Sequence, residues 1–164
     1  MYKKKELIID PRVIIFALII GYVVRFIPEN ILNPYNFLFR ERKWEREGRL
    51  YDRVFRVKSW KKYLPEGGEF YKVNAFNKKY LSSTDPEYLK RFAIETARAE
   101  LTHILLVLLF LPSIFWNTLQ NVFYIFIFTF SVNLPFIIVQ RYNRIRFLRI
   151  LEEMGYPISD TFRR

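Results

Sequence analysis

Two short polar stretches of this sequence carry the residues best suited to acid–base chemistry. The first, ETARAELTH at 95–103, holds the single histidine of the chain, His103, with Glu95 and Glu100. At about 100° per residue, a helix would place His103 between these glutamates, and Glu100 lies within hydrogen-bonding reach of it. A carboxylate beside an imidazole fixes its tautomer and raises its basicity. The pattern predicts a general base.

The second polar stretch, QRYNR at 140–144, follows a long apolar segment. If that segment folds back on itself, the two polar stretches meet at one depth. Ionisable groups at a membrane boundary are costly and usually functional, and arginine or asparagine can support an oxyanion or bind a phosphate. In the alternative interpretation, Arg141 and Arg144 pair with the two glutamates and only lock the helices together.

Several kinds of chemistry are excluded or disfavoured by what the sequence lacks. The chain has no cysteine, so thiolate catalysis, disulfides and iron–sulfur ligation are excluded. There is no GxSxG elbow, and Leu108 stands where the glycerolipid acyltransferases place an aspartate after the histidine. One histidine with two glutamates is more typical of an ion-pair network than of a metal site. We expect no metal and no cofactor, and the remaining pattern favours acyl transfer from a thioester.

The apolar segment itself predicts a helical hairpin. From Leu101 to Val139 there is no Asp, Glu, Lys or Arg. This segment is too long for one membrane span and suits two short ones. The polar letters WNTLQN at 116–121 provide the turn, so we expect transmembrane arms at about 101–116 and 121–139. Asn133 lies inside the second arm and needs a polar partner there.

Further helices are predicted before and after this hairpin. The apolar run at 13–24 is interpreted as an N-terminal anchor helix, although a cleaved signal peptide or a re-entrant helix stays open. Asp85 and Pro86 form a good helix start, and no breaker follows before Pro112. After the hairpin, residues 141–154 predict a basic amphipathic helix.

Residues 28–64 are basic and aromatic together. Phe37, Trp44 and Tyr51 recur at seven-residue spacing with cations between them. This pattern suits short amphipathic helices in the headgroup region of a membrane. The alternative is that the aromatic rings pack against the hairpin.

Composition indicates an all-α integral membrane protein with one domain over residues 1–164. A net charge of +11 accompanies 51% hydrophobic and 19% aromatic residues, which excludes disorder and argues against a nucleic-acid binder. Because a hairpin returns the chain to the side it left, residues 28–100 and the tail share one face, and their excess of Lys and Arg predicts that this face is cytoplasmic. We expect location in the cell membrane, with the site at the cytoplasmic interface and lipids as partners.

Three stretches together resemble the bacterial glycosyl-4,4'-diaponeurosporenoate acyltransferases. They are WEREGRLYDRVFRVKSWKKYLPEG at 44–67, ETARAELTH at 95–103 and NLPFIIVQRYNR at 133–144, and the likeness covers about residues 35–151. The order and spacing of the stretches match as well. Ile104 and Ile145 depart from the pattern, where an aromatic residue and a proline are expected.

The resemblance implies a small membrane enzyme that attaches a fatty acyl chain to the sugar hydroxyl of a glycosylated carotenoid acid, in staphyloxanthin-type pigment synthesis. It implies a glycolipid acceptor and an acyl-CoA or acyl carrier protein donor. The matched polar positions are Glu95, Arg98, Glu100, His103, Asn133, Gln140, Arg141, Tyr142, Asn143 and Arg144, with Trp60, Lys61 and Gly67 in the first stretch.

The resulting hypothesis is a membrane O-acyltransferase in which His103 acts as general base and Glu100 or Glu95 orients it. Arg141, Asn143 or Arg144 would stabilise the thioester oxyanion or bind donor phosphates. Two alternatives stay open at this point: a non-enzymatic lipid-binding or scaffolding membrane protein, and a hydrolase that uses the same base with water.

Overall fold

The structure is a computed structural model that describes residues 11–65 and 83–156. Within these ranges every regular element is helical, as the sequence predicts, and there is no strand. The residues at 3–5 and Gly67 lie outside the described part of the chain. The α-helices are α1 (Pro11–Val23), α2 (Arg49–Arg53), α3 (Val57–Trp60), α4 (Pro86–Val107), α5 (Phe110–Ser113) and α6 (Leu119–Glu153).

Helix α4 starts where the sequence predicts and ends earlier than expected. The Asp85 side chain accepts a hydrogen bond from a backbone N–H of the first turn, at 3.2 Å. The helix ends at Val107, so the first predicted arm at 101–116 is not one helix. Pro112 has no N–H for the carbonyl of Leu108 and its ring clashes with that carbonyl. The chain therefore breaks there and continues as the short α5.

Helix α6 joins two elements that the sequence analysis separated. It begins after Thr118, whose side chain accepts from Asn121 N, and runs for 35 residues to Glu153 with Pro135 inside it. The predicted second arm at 121–139 and the predicted C-terminal amphipathic helix are thus one helix, because no residue at their junction interrupts helical backbone. Among the described residues, this is the one helix long and apolar enough to cross a membrane.

Helix α1 lies alongside the hairpin formed by α4 and α6. Near its start, the ring of Phe16 stacks on that of Trp116 at a centroid distance of 6.4 Å. Just beyond its end, Arg98 Nη1 donates to the carbonyl oxygens of Val24, Arg25 and Ile27 at 2.9, 3.2 and 2.9 Å. Helix α1 therefore runs from the turn of the hairpin to the level of Arg98. We call the turn end the tip of the bundle and the opposite end its base.

The segment at 28–65 forms short helices and turns that pack on the base of the bundle. Tyr51 and Val57 are buried against Val139, Tyr142 and Ile145 of α6. Leu32 and Phe39 are buried against α4. The packing alternative thus holds for Tyr51, whereas Phe37 and Trp44 are 73% and 58% exposed.

The backbone explains why the seven-residue spacing in this segment does not form one stripe. Arg46, Glu47 and Gly48 all have positive φ, at 49°, 60° and 81°. Left-handed backbone at consecutive residues ends any right-handed helix. Gly48 is the buried member of the three, and a Cβ there would lie 3.5 Å from Ile145. The chain reverses at this point and directs Glu45 into the bundle.

The tip half of the bundle exposes mostly apolar side chains. On α1, Leu18 is 57% exposed, and at the turn Phe115 and Leu119 are 88% and 83% exposed. Apolar surface of this extent is unusual for a soluble monomer and marks a membrane or protein contact. The base half carries the buried ionic groups instead.

Candidate functional site

The expected site residues lie at two levels along the α4–α6 pair. His103 pairs with Asn133 and lies towards the tip, whereas Glu100, Arg141 and Arg144 form an ionic cluster nearer the base. The sequence analysis placed His103 and residues 140–144 at one depth. The helix register instead puts His103 opposite Asn133 and Phe136, and the two arginines reach Glu100 one turn of α4 below.

His103 is half-buried between the two long helices. Its Nδ1 lies 2.8 Å from Asn133 Oδ1. Its ring stacks on Phe136 with a centroid distance of 4.6 Å and an interplanar angle of 12°. These two contacts from α6 determine both the direction and the plane of the imidazole.

Asn133, for which the sequence predicts a polar partner inside the second arm, has two hydrogen-bond partners. Besides facing His103, its Nδ2 donates to the backbone oxygen of Thr129 at 2.8 Å. The side chain is only 7% exposed. A buried amide is stable when its polar atoms are paired, and here both the oxygen and the nitrogen of the amide have a partner.

The ionic cluster at the base consists of two carboxylates and two guanidinium groups. Arg141 Nε and Nη2 donate to Glu45 at 2.8 and 3.0 Å, and Arg141 Nη1 donates to Glu100 at 2.8 Å. Arg144 faces the other oxygen of Glu100. Both glutamates are almost fully buried. The positive and negative charges therefore balance in a region withdrawn from solvent.

The remaining donors of the two arginines bind backbone carbonyls of the 38–40 loop. Arg141 donates to the oxygens of Leu38 and Arg40, each at 3.2 Å, and Arg144 donates to Phe39 O at 3.1 and 2.8 Å. Every guanidinium nitrogen of Arg141 thus donates to a protein acceptor, whereas Arg144 Nη1 has only its ion pair with Glu100. The structure favours the interpretation in which these arginines hold the helices together. They also attach the 38–40 loop to the helices.

Glu45 is the cluster member that the sequence analysis did not single out. Tyr51 donates its hydroxyl hydrogen to Glu45 Oε1. Burial alone would raise the pKa of Glu45, but hydrogen bonds from Arg141, Tyr51 and the Arg42 backbone N–H lower it below its usual value. Burial and the adjacent carboxylate raise the pKa of Tyr51. The one signal in the sequence is an acid within a basic stretch just before Gly48.

Glu95 and Arg98 serve the docking of α1. Arg98 Nε donates to Glu95 Oε1 at 3.2 Å, while its Nη1 binds the carbonyls after α1. The sequence predicts that Glu95 or Glu100 orients His103. In the structure, Glu95 pairs with Arg98, and both oxygens of Glu100 face arginines. A guanidinium offers several donors in fixed geometry and is the stronger partner for a carboxylate.

The other expected residues lie on a second face of α6, against α3. Lys61 Nζ donates to Asn143 Oδ1 at 3.3 Å and lies 5.2 Å from the ring centroid of Tyr142. The guanidinium of Arg146 lies 5.6 Å from the same ring. Trp60 donates to the carbonyl of Phe55 at 2.8 Å. We call Lys61, Asn143 and Arg146 the cationic face.

Two further features of α6, on either side of the His103 level, bear on ligand binding. Gln140, one turn below Phe136, has a buried Oε1 that accepts no hydrogen bond within the described ranges. Towards the tip, an open apolar groove of about 680 Å³ lies between α5 and the start of α6. It is lined by Phe110, Leu119, Gln120, Val122, Phe123 and Phe126. In residues 11–65 and 83–156, no group of three or more His, Asp or Glu side chains could hold a metal ion.

Comparison with known proteins points to one family. The sequence profile of the family described as glycosyl-4,4'-diaponeurosporenoate acyltransferase matches residues 35–153. A relative of that name in Staphylococcus haemolyticus (strain JCSC1435) is 33% identical over 123 residues, which are 73% of this chain and 68% of the relative. Another in Staphylococcus aureus (strain MRSA252) is 34% identical over 134 residues, 79% of each chain. No solved structure matches.

Proposed function

Because the chain belongs to the glycosyl-4,4'-diaponeurosporenoate acyltransferase family and is an acyltransferase, we propose that it esterifies a sugar hydroxyl of a glycolipid. The acceptor is a glycosylated carotenoid acid or a similar lipid, and the donor is the thioester of a fatty acid with coenzyme A or an acyl carrier protein. The observation that carries this proposal is the His103–Asn133 pair, an imidazole held in a fixed direction between α4 and α6.

In the proposed reaction, His103 removes the proton of the sugar hydroxyl as its oxygen attacks the thioester carbonyl. The new C–O ester bond forms, the C–S bond breaks, and the proton passes from the imidazole to the departing thiolate. A positioned base of this kind contributes about 10²- to 10⁴-fold to the rate. No charge or atom is left over, so the residues need no further co-reactant.

Polar and apolar features around His103 fit the two substrates. The buried Oε1 of Gln140 can accept a hydrogen bond from a sugar hydroxyl, because no described residue occupies it. The apolar groove begins at Phe126, two turns of α6 or about 10 Å from Asn133. A fatty acyl chain whose carboxyl carbon lies at His103 can extend along that distance into the groove.

Anionic groups of the donor would bind at the cationic face and not at Arg141 or Arg144. The donors of the two buried arginines face protein acceptors, whereas Lys61 and Arg146 flank Tyr142. The carboxylate of Asp52 acts on both through its charge but forms its ion pair with Lys58. A phosphate between Lys61 and Arg146 would relieve the repulsion of two like charges. Arg141 and Arg144 then support the site by holding α4, α6 and the 38–40 loop together.

The proposed location is the cell membrane, with the tip half of the bundle in the bilayer. The apolar part of α6 measures about 30 Å, the thickness of the hydrocarbon core, and α1 follows the hairpin from tip to base. The guanidinium of Arg12 lies 5.7 Å from the ring centroid of Trp116, a pairing typical of a membrane interface. The cations at the base favour its placement on the cytoplasmic side.

The test is acyl transfer by the purified protein in detergent, with acyl-CoA and a glycosylated carotenoid acid. We expect an ester product from the wild type and at least a 100-fold lower rate from His103→Gln. Thr102→Val, the adjacent residue on α4, is the control and should keep the wild-type rate. Full activity of His103→Gln would rule out the base role, and thioester loss that needs no acceptor would mean hydrolysis.

A further inference from the structure

The amide group of Asn133 has one workable orientation. Its Nδ2 lies 2.8 Å from the backbone oxygen of Thr129, and a carbonyl oxygen can only accept a hydrogen bond. Turning the amide over would bring two oxygens together at that distance and lose the bond. The Oδ1 atom must therefore face the imidazole, 2.8 Å from His103 Nδ1.

This orientation determines where His103 carries its proton. Asn133 Oδ1 can only accept, so Nδ1 of the imidazole must donate, and in a neutral imidazole the other nitrogen then holds the lone pair. We infer that Asn133 is a positioning residue that keeps the proton of His103 on Nδ1, so that Nε2 is the atom that takes the proton of the acceptor hydroxyl. This inference rests on the proposed base role of His103.

The helix backbone makes this arrangement rigid. Thr129 precedes Asn133 by one turn of α6, so the carbonyl that orients the amide belongs to the same helix as the amide itself. Phe136, on the next turn, holds the plane of the ring. The backbone of α6 thus orients Asn133, and Asn133 orients His103 through Nδ1.

An amide partner also has a chemical consequence that a carboxylate would not have. A carboxylate beside an imidazole stabilises the imidazolium form, whereas an uncharged amide does not. Asn133 Oδ1 is such an amide acceptor for His103 Nδ1.

The tautomer can be measured directly because the chain has a single histidine. We would label the protein with ¹⁵N-histidine, purify it in detergent through a tag that lacks histidine, and record long-range ¹H–¹⁵N correlations of the imidazole. With the ring neutral, we expect a pyrrole-type shift for Nδ1 and a pyridine-type shift for Nε2. The opposite assignment in the wild type would overturn the inference, and this measurement needs no variant.

Variants test whether Asn133 is the cause. Asn133→Ala should give shifts averaged between the two tautomers, and Asn133→Asp, which keeps an acceptor, should retain the proton on Nδ1. The control is Asn143→Ala, which removes an amide of α6 that contacts Lys61 instead. Its imidazole shifts should match those of the wild type. An unchanged tautomer in a folded Asn133→Ala protein would contradict the role. The backbone amide spectrum reports whether that variant is folded.

Kinetics separate this inference from the proposed function. For Asn133→Ala we expect kcat to fall about tenfold with little change in KM, because the ring spends less time in the active tautomer, and Asn133→Asp should recover most of it. If His103→Gln kept full activity, the base role would fail while the tautomer measurement still stood. If the tautomer were wrong while His103→Gln was inactive, only the role of Asn133 would fail.

Discussion

Arg141 and Glu100 face one another between the two long helices, with 2.8 Å between Nη1 and Oε1, and only 14% and 2% of their side chains are exposed. The same guanidinium bonds Glu45, which comes from the loop packed on the base of the bundle. Three separate parts of the chain are thus connected at one arginine. Its main consequence is for stability, whereas the proposed chemistry is assigned to His103, one turn above.

Arg141→Met should therefore cause a large loss of stability. It leaves the buried carboxylates of Glu45 and Glu100 without their shared partner, which typically costs about 3–5 kcal/mol. The free energy of unfolding in detergent, from chemical denaturation, measures the effect. Arg149→Met is the matched control, because its pair with Glu47 is exposed and such pairs contribute about 0–1 kcal/mol. Equal stability of the two variants would mean that the cluster does not hold the fold.

Acid should destabilise the protein partly through Glu45. Its pKa is lowered in the folded state, since hydrogen bonds from Arg141, Tyr51 and a backbone N–H outweigh burial, and in the unfolded chain it returns to about 4.3. The stability it contributes is therefore fully present above about pH 4.3 and is lost as the pH falls through the lower folded value.

Glu45→Gln should remove that part of the acid dependence. We expect its melting temperature to be lower than that of the wild type at neutral pH, and the difference to shrink between about pH 5 and pH 3. Melting curves across this range measure it. Glu47→Gln, in an exposed pair with Arg49, should keep the wild-type slope. A Glu45→Gln slope identical to the wild-type slope would contradict the assignment.

Arg98→Ala should loosen α1 without disturbing the α4–α6 pair. The substitution removes the donor shared by the carbonyls of Val24, Arg25 and Ile27. The Val24 carbonyl keeps a bond from Ile27 N, whereas a buried carbonyl left unpaired costs about 1–3 kcal/mol. Amide hydrogen exchange should speed up in residues 13–27 and stay slow in α6. Arg98→Lys offers a single charged group for the same carbonyls and should give an intermediate result. Equal exchange rates of residues 13–27 in the wild type and both variants would show that α1 is held by other contacts.

Lys61→Ala and Arg146→Ala should each raise the KM for acyl-CoA about tenfold and leave kcat near the wild-type value. The estimate follows from about 1.5 kcal/mol for a hydrogen bond to a charged group. Steady-state kinetics with varied donor measure it, and higher salt should reduce the difference. Lys62→Ala, whose ammonium lies over Tyr63 instead, is the control. An unchanged KM in both variants would remove the cationic face from donor binding.

Much of the helical architecture could be predicted from the sequence because its signals are local. The cap formed by Asp85 and Pro86 starts α4 where expected, and the charge-free segment after Leu101 folds into a helical hairpin with its turn before Thr118. The three matched stretches identify the acyltransferase family. Capping, hydropathy and motif spacing all act over a few residues, so they can be read without coordinates.

The partners of the polar side chains were decided only by the tertiary structure. Whether His103 meets Glu100 or Asn133 depends on the register of α4 against α6, and that register is set by the break before Pro112 and by the side chains packed between the helices. Glu45 enters the bundle because left-handed backbone at residues 46–48 reverses the chain. Such contacts join residues far apart in sequence, and their energies depend on burial that no local pattern encodes. The sequence by itself determined that the described elements are helical, where α4 starts and to which family the chain belongs, and only the packed fold decided where the other helices end and which polar groups meet.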